Sequence, residues 1–116
     1  MSDSQEIANL NKYEAKVATF KNPEIFIDVF DKVKDIFEDT YKKGRSIIND
    51  IVKLQHDIAE FWSKANQDFE KVFNVQTIDQ AILILHDWHG LRTDEYISDK
   101  DLWKIDGEVK LTDIII

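Results

Sequence analysis

From Pro23 to Asn74 the apolar residues fall on one side of a helix. Alternating steps of four and three from Phe26 lead through Phe30, Val33, Phe37, Thr40, Gly44, Ile47, Ile51, Leu54, Ile58, Phe61, Ala65, Asp68 and Val72. Only Thr40, Gly44 and Asp68 interrupt the apolar run. Such spacing marks a helical seam, whereas a strand would alternate with period 2. Ile27, Tyr41, Ile48, Trp62 and Phe69 stand one residue past seam positions and widen it into the stripe of a bundle helix. A two-stranded coiled coil would show a narrower line. The opposite face holds the pairs Asp28–Lys32, Glu38–Lys42, Asp39–Lys43 and Glu60–Lys64. Each contributes about 0.2–0.5 kcal/mol to a helix.

Gly44 divides two readings of this stretch. Lys42-Lys43-Gly44 has the composition of a helix end, and Ser46 suits the cap of a following helix. The seam nevertheless keeps its phase through Gly44, and a glycine inside a helix costs only about 1 kcal/mol relative to alanine. The preferred expectation is one continuous helix over 23–74, with a helical hairpin at Gly44 as the alternative. At about 1.5 Å per residue a continuous rod would span roughly 78 Å. It would overhang any cover from the same chain and require a homo-oligomer.

The flanking segments are shorter. Ile7, Leu10, Tyr13, Val17 and Phe20 predict a helix over 5–20, with Ser4 as its cap. Asn22-Pro23 separates it from the next, because the residue before proline avoids the α region and proline suits a first helical turn. Thr77-Ile78-Asp79-Gln80 has the form of a capping box. It opens a helix expected over 77–89, buried because Ile82-Leu83-Ile84-Leu85 is apolar all round, and stopped by Gly90. Ser98 suits the cap of a helical turn containing Leu102 and Trp103. Residues 90–116 otherwise predict an irregular tail. Within it, a short β-hairpin is expected around a loop at 106–108, pairing Ile105 with Val109 and Trp103 with Leu111. The terminal Ile114-Ile115-Ile116 run needs cover.

Composition fits one domain over 1–116, mainly α: a helical bundle built on one long amphipathic helix or helical hairpin. Three glycines and one proline agree with long elements joined by few turns. Fifteen basic residues against 23 acidic ones give a net charge of −8. Direct nucleic-acid binding is therefore not expected, and a basic protein partner or a neutral apolar surface is favoured. The absence of cysteine excludes disulfides and thiolate chemistry. With no apolar leader and no run long enough for a membrane span, the expected location is cytoplasmic.

Little chemistry is legible. His86 and His89 stand three apart on one helical face, a spacing that can hold a metal, with Asp94 or Glu95 as a third ligand. The default reading is two polar residues at an exposed helix end, because no HExxH glutamate accompanies them. Asp99, Asp101, Asp106 and Glu108 do not make a calcium loop, since Trp103 occupies a ligand position. Ser46 and Ser63 lack the context of an activated nucleophile. Lys42-Lys43-Gly44-Arg45 is the one basic cluster and reads as a solvated helix face. No catalytic residue, cofactor or committed metal site is expected.

The stretch Ala65-Asn66-Gln67-Asp68-Phe69-Glu70-Lys71-Val72-Phe73, followed by Thr77-Ile78-Asp79-Gln80-Ala81-Ile82, resembles the phasins. The resemblance covers roughly residues 23–89. It implies a non-catalytic coat protein that holds a polymer granule with amphipathic helices. The chain departs from that pattern in its scarcity of alanine and its Trp-containing tail. The expected function is a non-enzymatic amphipathic helical binding or coat protein, possessing an interaction surface at Phe30, Phe37, Tyr41, Ile48, Phe61, Trp62, Phe69, Trp88 and Trp103. A second reading is a small acidic inhibitor or adaptor, of phage or mobile-element type, docking on a basic surface of a larger machine. A third is metal binding through His86 and His89.

Overall fold

The computed structural model describes residues 11–105 and 107–115. The cap at Ser4, the apolar positions Ile7 and Leu10, and Asp106 and Ile116 lie outside the described residues.

Helix α1 occupies 11–18 of the described chain and α2 runs Pro23–Lys43. Pro23 sits in the first turn of α2, where its missing N–H costs no helical bond. The backbone N–H of Lys21 in the connection donates to Asp68 Oδ1 at 3.1 Å. This explains one polar interruption of the seam: Asp68 ties the α1–α2 connection to the helix that carries it. Thr40, another interruption, is buried and donates its hydroxyl to the Ile36 carbonyl at 2.8 Å, so its polarity is satisfied within α2.

Gly44 ends α2. Its φ of +66° is left-handed, and its N–H donates to the Thr40 carbonyl at 3.1 Å. The continuous helix over 23–74 is therefore not formed, and the hairpin alternative holds. After residues 44–46, α3 (Ile47–Ile51), a 3₁₀ turn (Val52–Leu54) and α4 (Gln55–Phe73) return antiparallel to α2. The three-residue link happens to preserve the count of fours and threes, so two inward faces read as one seam. Phe26, Phe30, Val33 and Phe37 on α2 and Ile47, Ile51, Ile58, Phe61 and Ala65 beyond Gly44 are all buried. Lys32 turns across the hairpin to Asp57 at 3.3 Å instead of along its own helix to Asp28. The in-helix pairs Asp39–Lys43 (3.4 Å) and Glu60–Lys64 (2.7 Å) form as expected.

Asn74, in the left-handed conformation at φ 56°, ends α4, and the N–H of Val75 donates to the Phe69 carbonyl. Helix α5 (Ile78–Thr93) starts with the expected capping box: Thr77 Oγ1 accepts from the Gln80 N–H, and Gln80 Oε1 accepts from the Thr77 N–H, both at 3.2 Å. It does not stop at Gly90. It continues to Thr93, and Asp94 at φ 58° closes it. Gly90 is small for a packing reason, since a Cβ there would clash with the Cε1 edge of the Tyr96 ring and lie 2.9 Å from the Glu95 carbonyl oxygen.

The tail contains two short helical turns. Ser98 caps α6 (Asp99–Leu102), as expected, accepting from the Asp101 N–H at 3.2 Å. The hairpin pairing Ile105 with Val109 and Trp103 with Leu111 is absent, and Ile105 faces Gly107 instead. Trp103 closes α6 and Leu111 opens α7 (Leu111–Ile114), and between them only the two-residue segments β1 (Lys104–Ile105) and β2 (Gly107–Glu108) meet. Each helical turn finds a side-chain acceptor at its N-terminus, Ser98 for α6 and Asp79 for α7. Asp79 at the start of α5 accepts the Leu111 N–H at 2.7 Å and the Thr112 N–H at 3.2 Å, and also accepts from the Thr112 hydroxyl. These bonds satisfy donors that a helix N-terminus otherwise leaves orphaned.

The core lies between α2, α4 and α5. Phe30 and Trp88 approach to 4.3 Å between ring centroids, Phe26 and Trp88 to 5.0 Å, and Phe20 seals one end against Phe69 at 5.2 Å. The molecule extends 37 Å at most, less than half the length of the rod. Its radius of gyration of 13.8 Å compares with about 13.4 Å for a compact domain of this length.

Candidate functional site

The apolar positions expected to form an interaction surface are mostly core. Phe30, Phe37, Ile48, Phe61, Phe69, Trp88 and Trp103 are buried, and Trp62 is half-buried against Phe69. Tyr41 alone of that set is exposed, at 50%. The other large exposed apolar side chains among the described residues, Ile27, Val52 and Tyr96, are scattered over different elements. Single exposed hydrophobics of this kind are ordinary on a protein surface.

Polar residues dominate the outward face of α2. Glu24, Asp28, Asp31 and Asp35 follow one another at steps of four, three and four, and all are exposed. They form an acidic stripe three turns long, tempered by Lys34, whose ammonium lies 3.6 Å from Asp31. The basic cluster at the end of α2 is partly consumed. Arg45 donates to the buried Asp50 at 2.6 Å, and Lys43 pairs with Asp39.

The two histidines do not sit at an exposed helix end. Both are buried and share Phe37 as a neighbour, but they face different carboxylates. His86 lies edge-on to Phe37 at 5.4 Å, and its Nδ1 is 3.9 Å from Asp87. His89 sits between Phe37 (5.6 Å) and Phe30 (6.2 Å). Its Nε2 faces Glu38 Oε1 at 3.9 Å, too far for a hydrogen bond. Glu95 completes this corner: one ligand atom each from Glu38, His89 and Glu95 lie within 4.8 Å of one another. Of the two third-ligand candidates, the fold brings in Glu95, while Asp94 closes α5 with its backbone and its exposed carboxylate is not in the group. His86 is not part of the group.

Three elements build this corner. Glu38 stands on α2 one residue past the buried Phe37, which places it at the rim of the core. His89 comes from the inner face of α5. Glu95 arrives because the chain reverses at Asp94 and packs its backbone directly on Gly90. Glu38 was invisible as a candidate in the sequence, where its i+4 spacing to Lys42 suggested a surface ion pair. Only the crossing of α2 over α5 reveals its position.

Burial pushes the His89 imidazole below the ordinary histidine range, against the opposing pull of Glu95 and Glu38. His86 and Arg92 press in the same direction as burial. Arg92 stacks its guanidinium over Trp88 at 5.0 Å and Phe30 at 5.7 Å. His89 is thus held as a neutral imidazole with a lone pair available near neutral pH.

A groove of about 550 Å³ opens elsewhere, lined by Lys12, Tyr13, Lys16, Phe73, Asp87 and Tyr96 among others. Burial, with Asp87 and Tyr96 nearby, raises the Tyr13 hydroxyl above its ordinary range.

Among the described residues no helix is long and apolar enough to cross a membrane. The chain matches no known protein family, no curated protein and no solved structure. What the fold defines is a class: a mainly α-helical bundle closed by helical turns.

Proposed function

We propose that this protein is a non-catalytic binding domain that docks on a basic surface of a larger partner. The observation that carries this reading is the fate of the seam. Its apolar residues are consumed inside the α2–α4 hairpin, so the surface left for recognition is polar, in a chain of net charge −8. Charge complementarity then supplies partner choice and association rate. The stripe Glu24, Asp28, Asp31 and Asp35 is the region proposed to make the contact. A granule coat of the phasin type would instead require the hairpin to open and turn Phe26, Phe30 and Phe61 outward. Each of these would then forfeit about 1.5–3 kcal/mol of burial, a cost the polymer surface would have to offset.

Binding to a lysine-rich peptide and to apolar polymer particles separates the two. Docking through the stripe predicts peptide binding that weakens steeply between low and moderate salt. It should be lost on combining Asp28→Asn, Asp31→Asn and Asp35→Asn, and retained when Glu14, Glu70 and Asp99 are neutralised instead. Salt-insensitive binding to the particles, or equal losses from both triple variants, would refute the stripe.

A further inference from the structure

The corner formed by Glu38, His89 and Glu95 asks for a ligand. His89 is 3% exposed, and neither of its ring nitrogens has a hydrogen-bond partner among the described residues. Buried polar atoms in folded proteins are almost always paired, so an imidazole unpaired on both sides calls for an explanation. Two carboxylates, Glu38 and Glu95, face it, and both are only half-buried, which opens the corner to solvent from one side.

We propose that Glu38, His89 and Glu95 bind a divalent first-row transition ion, of the zinc or manganese type, and thereby tie α2 and α5 to the turn that follows α5. One imidazole with two carboxylates is a borderline donor set. The nitrogen disfavours calcium and magnesium, and the lack of thiolate disfavours the softer ions. Ligand atoms about 2.0–2.2 Å from such an ion stand roughly 3.3–3.6 Å apart in a tetrahedron. The ligand atoms lie within 4.8 Å of one another, so binding draws them together by up to about 1.5 Å, a movement that falls to the two half-buried glutamate side chains. Three protein ligands leave at least one position for water, on the open side. Arg92 is the nearby charge that opposes a cation here, and its guanidinium is held over Trp88 and Phe30. The two carboxylates outweigh it.

The binding does not rest on the acidic-stripe reading, because Asp28, Asp31 and Asp35 are not among the ligands. Calorimetric titration of the full chain with zinc, and separately with manganese, tests it near neutral pH in a non-coordinating buffer. One equivalent of at least one of the two ions should bind, raising the melting temperature on the order of 5 °C at saturation. Glu38→Gln and Glu95→Gln should each fold, by circular dichroism, and weaken binding roughly tenfold or more. His56→Ala should bind like the parent, since His56 is exposed on α4 and apart from the corner. His89→Gln should abolish binding. Were that variant to unfold, the two glutamate variants would still decide the matter. Absence of saturable binding for both ions, or binding that survives both glutamate substitutions, would overturn the site.

Discussion

Asp79 carries more of this fold than its place in a capping box suggests. It stands in the first turn of α5, where a carboxylate is favoured by the helix dipole, yet its oxygens also accept three bonds from Leu111 and Thr112. One side chain thus serves two helix starts that are more than thirty residues apart. Bonds to an ionised acceptor contribute about 1.5–3 kcal/mol each and are not additive. Asp79→Ala should therefore cost roughly 3 kcal/mol, read as a lower denaturant midpoint, and should release α7. Asp79→Asn keeps one acceptor oxygen and should lose about half as much. Equal stability of parent and Asp79→Ala would mean that α7 contributes nothing to the folded state. No sequence signal announces this role, because the spacing from 79 to 111 is set by how the tail folds back and not by any local motif.

Among the elements, the α2–α4 hairpin shows how a correct periodicity can yield a wrong connection. Helical period, inward face and the end near Asn74 were all readable. The join at Gly44 was not, because a three-residue link leaves the heptad count in phase. The composition Lys42-Lys43-Gly44 did describe a helix end, and the unbroken seam outweighed it in the continuous reading. Gly44→Ala now has a definite sign. A Cβ at that position meets open space, so the substitution is resisted by the positive φ alone. Stability should fall by about 1–2 kcal/mol in urea unfolding, whereas a continuous helix would gain from the same change. The Gly90 reading failed for the opposite reason. A glycine that resembles a helix stop is retained inside α5 because the chain at Glu95 and Tyr96 packs against it, a contact that no local pattern encodes.

At the scale of the whole molecule, a rod with an uncovered seam needed a second copy, and the hairpin removes that need. The apolar face is covered from within by α1, α4 and α5, so apolar burial no longer requires self-association. Small-angle scattering should give a radius of gyration close to 13.8 Å at micromolar concentration. An elongated particle, or one of twice the mass whose dimer resists salt, would restore the rod. What the sequence alone determined is what local physics controls: helical period, the proline start at Pro23, the capping box at Thr77, the cap at Ser98, and the acidic balance. These depend on neighbours within a turn or two, and the neighbours are written in order along the chain. Tertiary structure alone decided which faces were spent as core, which carboxylates reached across the fold (Asp68 to the α1–α2 connection, Asp79 to the start of α7), and that Glu38 meets His89 and Glu95. Those outcomes follow from the crossing of α2 and α4 with α5 in space. A seam records only that a face must be buried and is silent on what buries it.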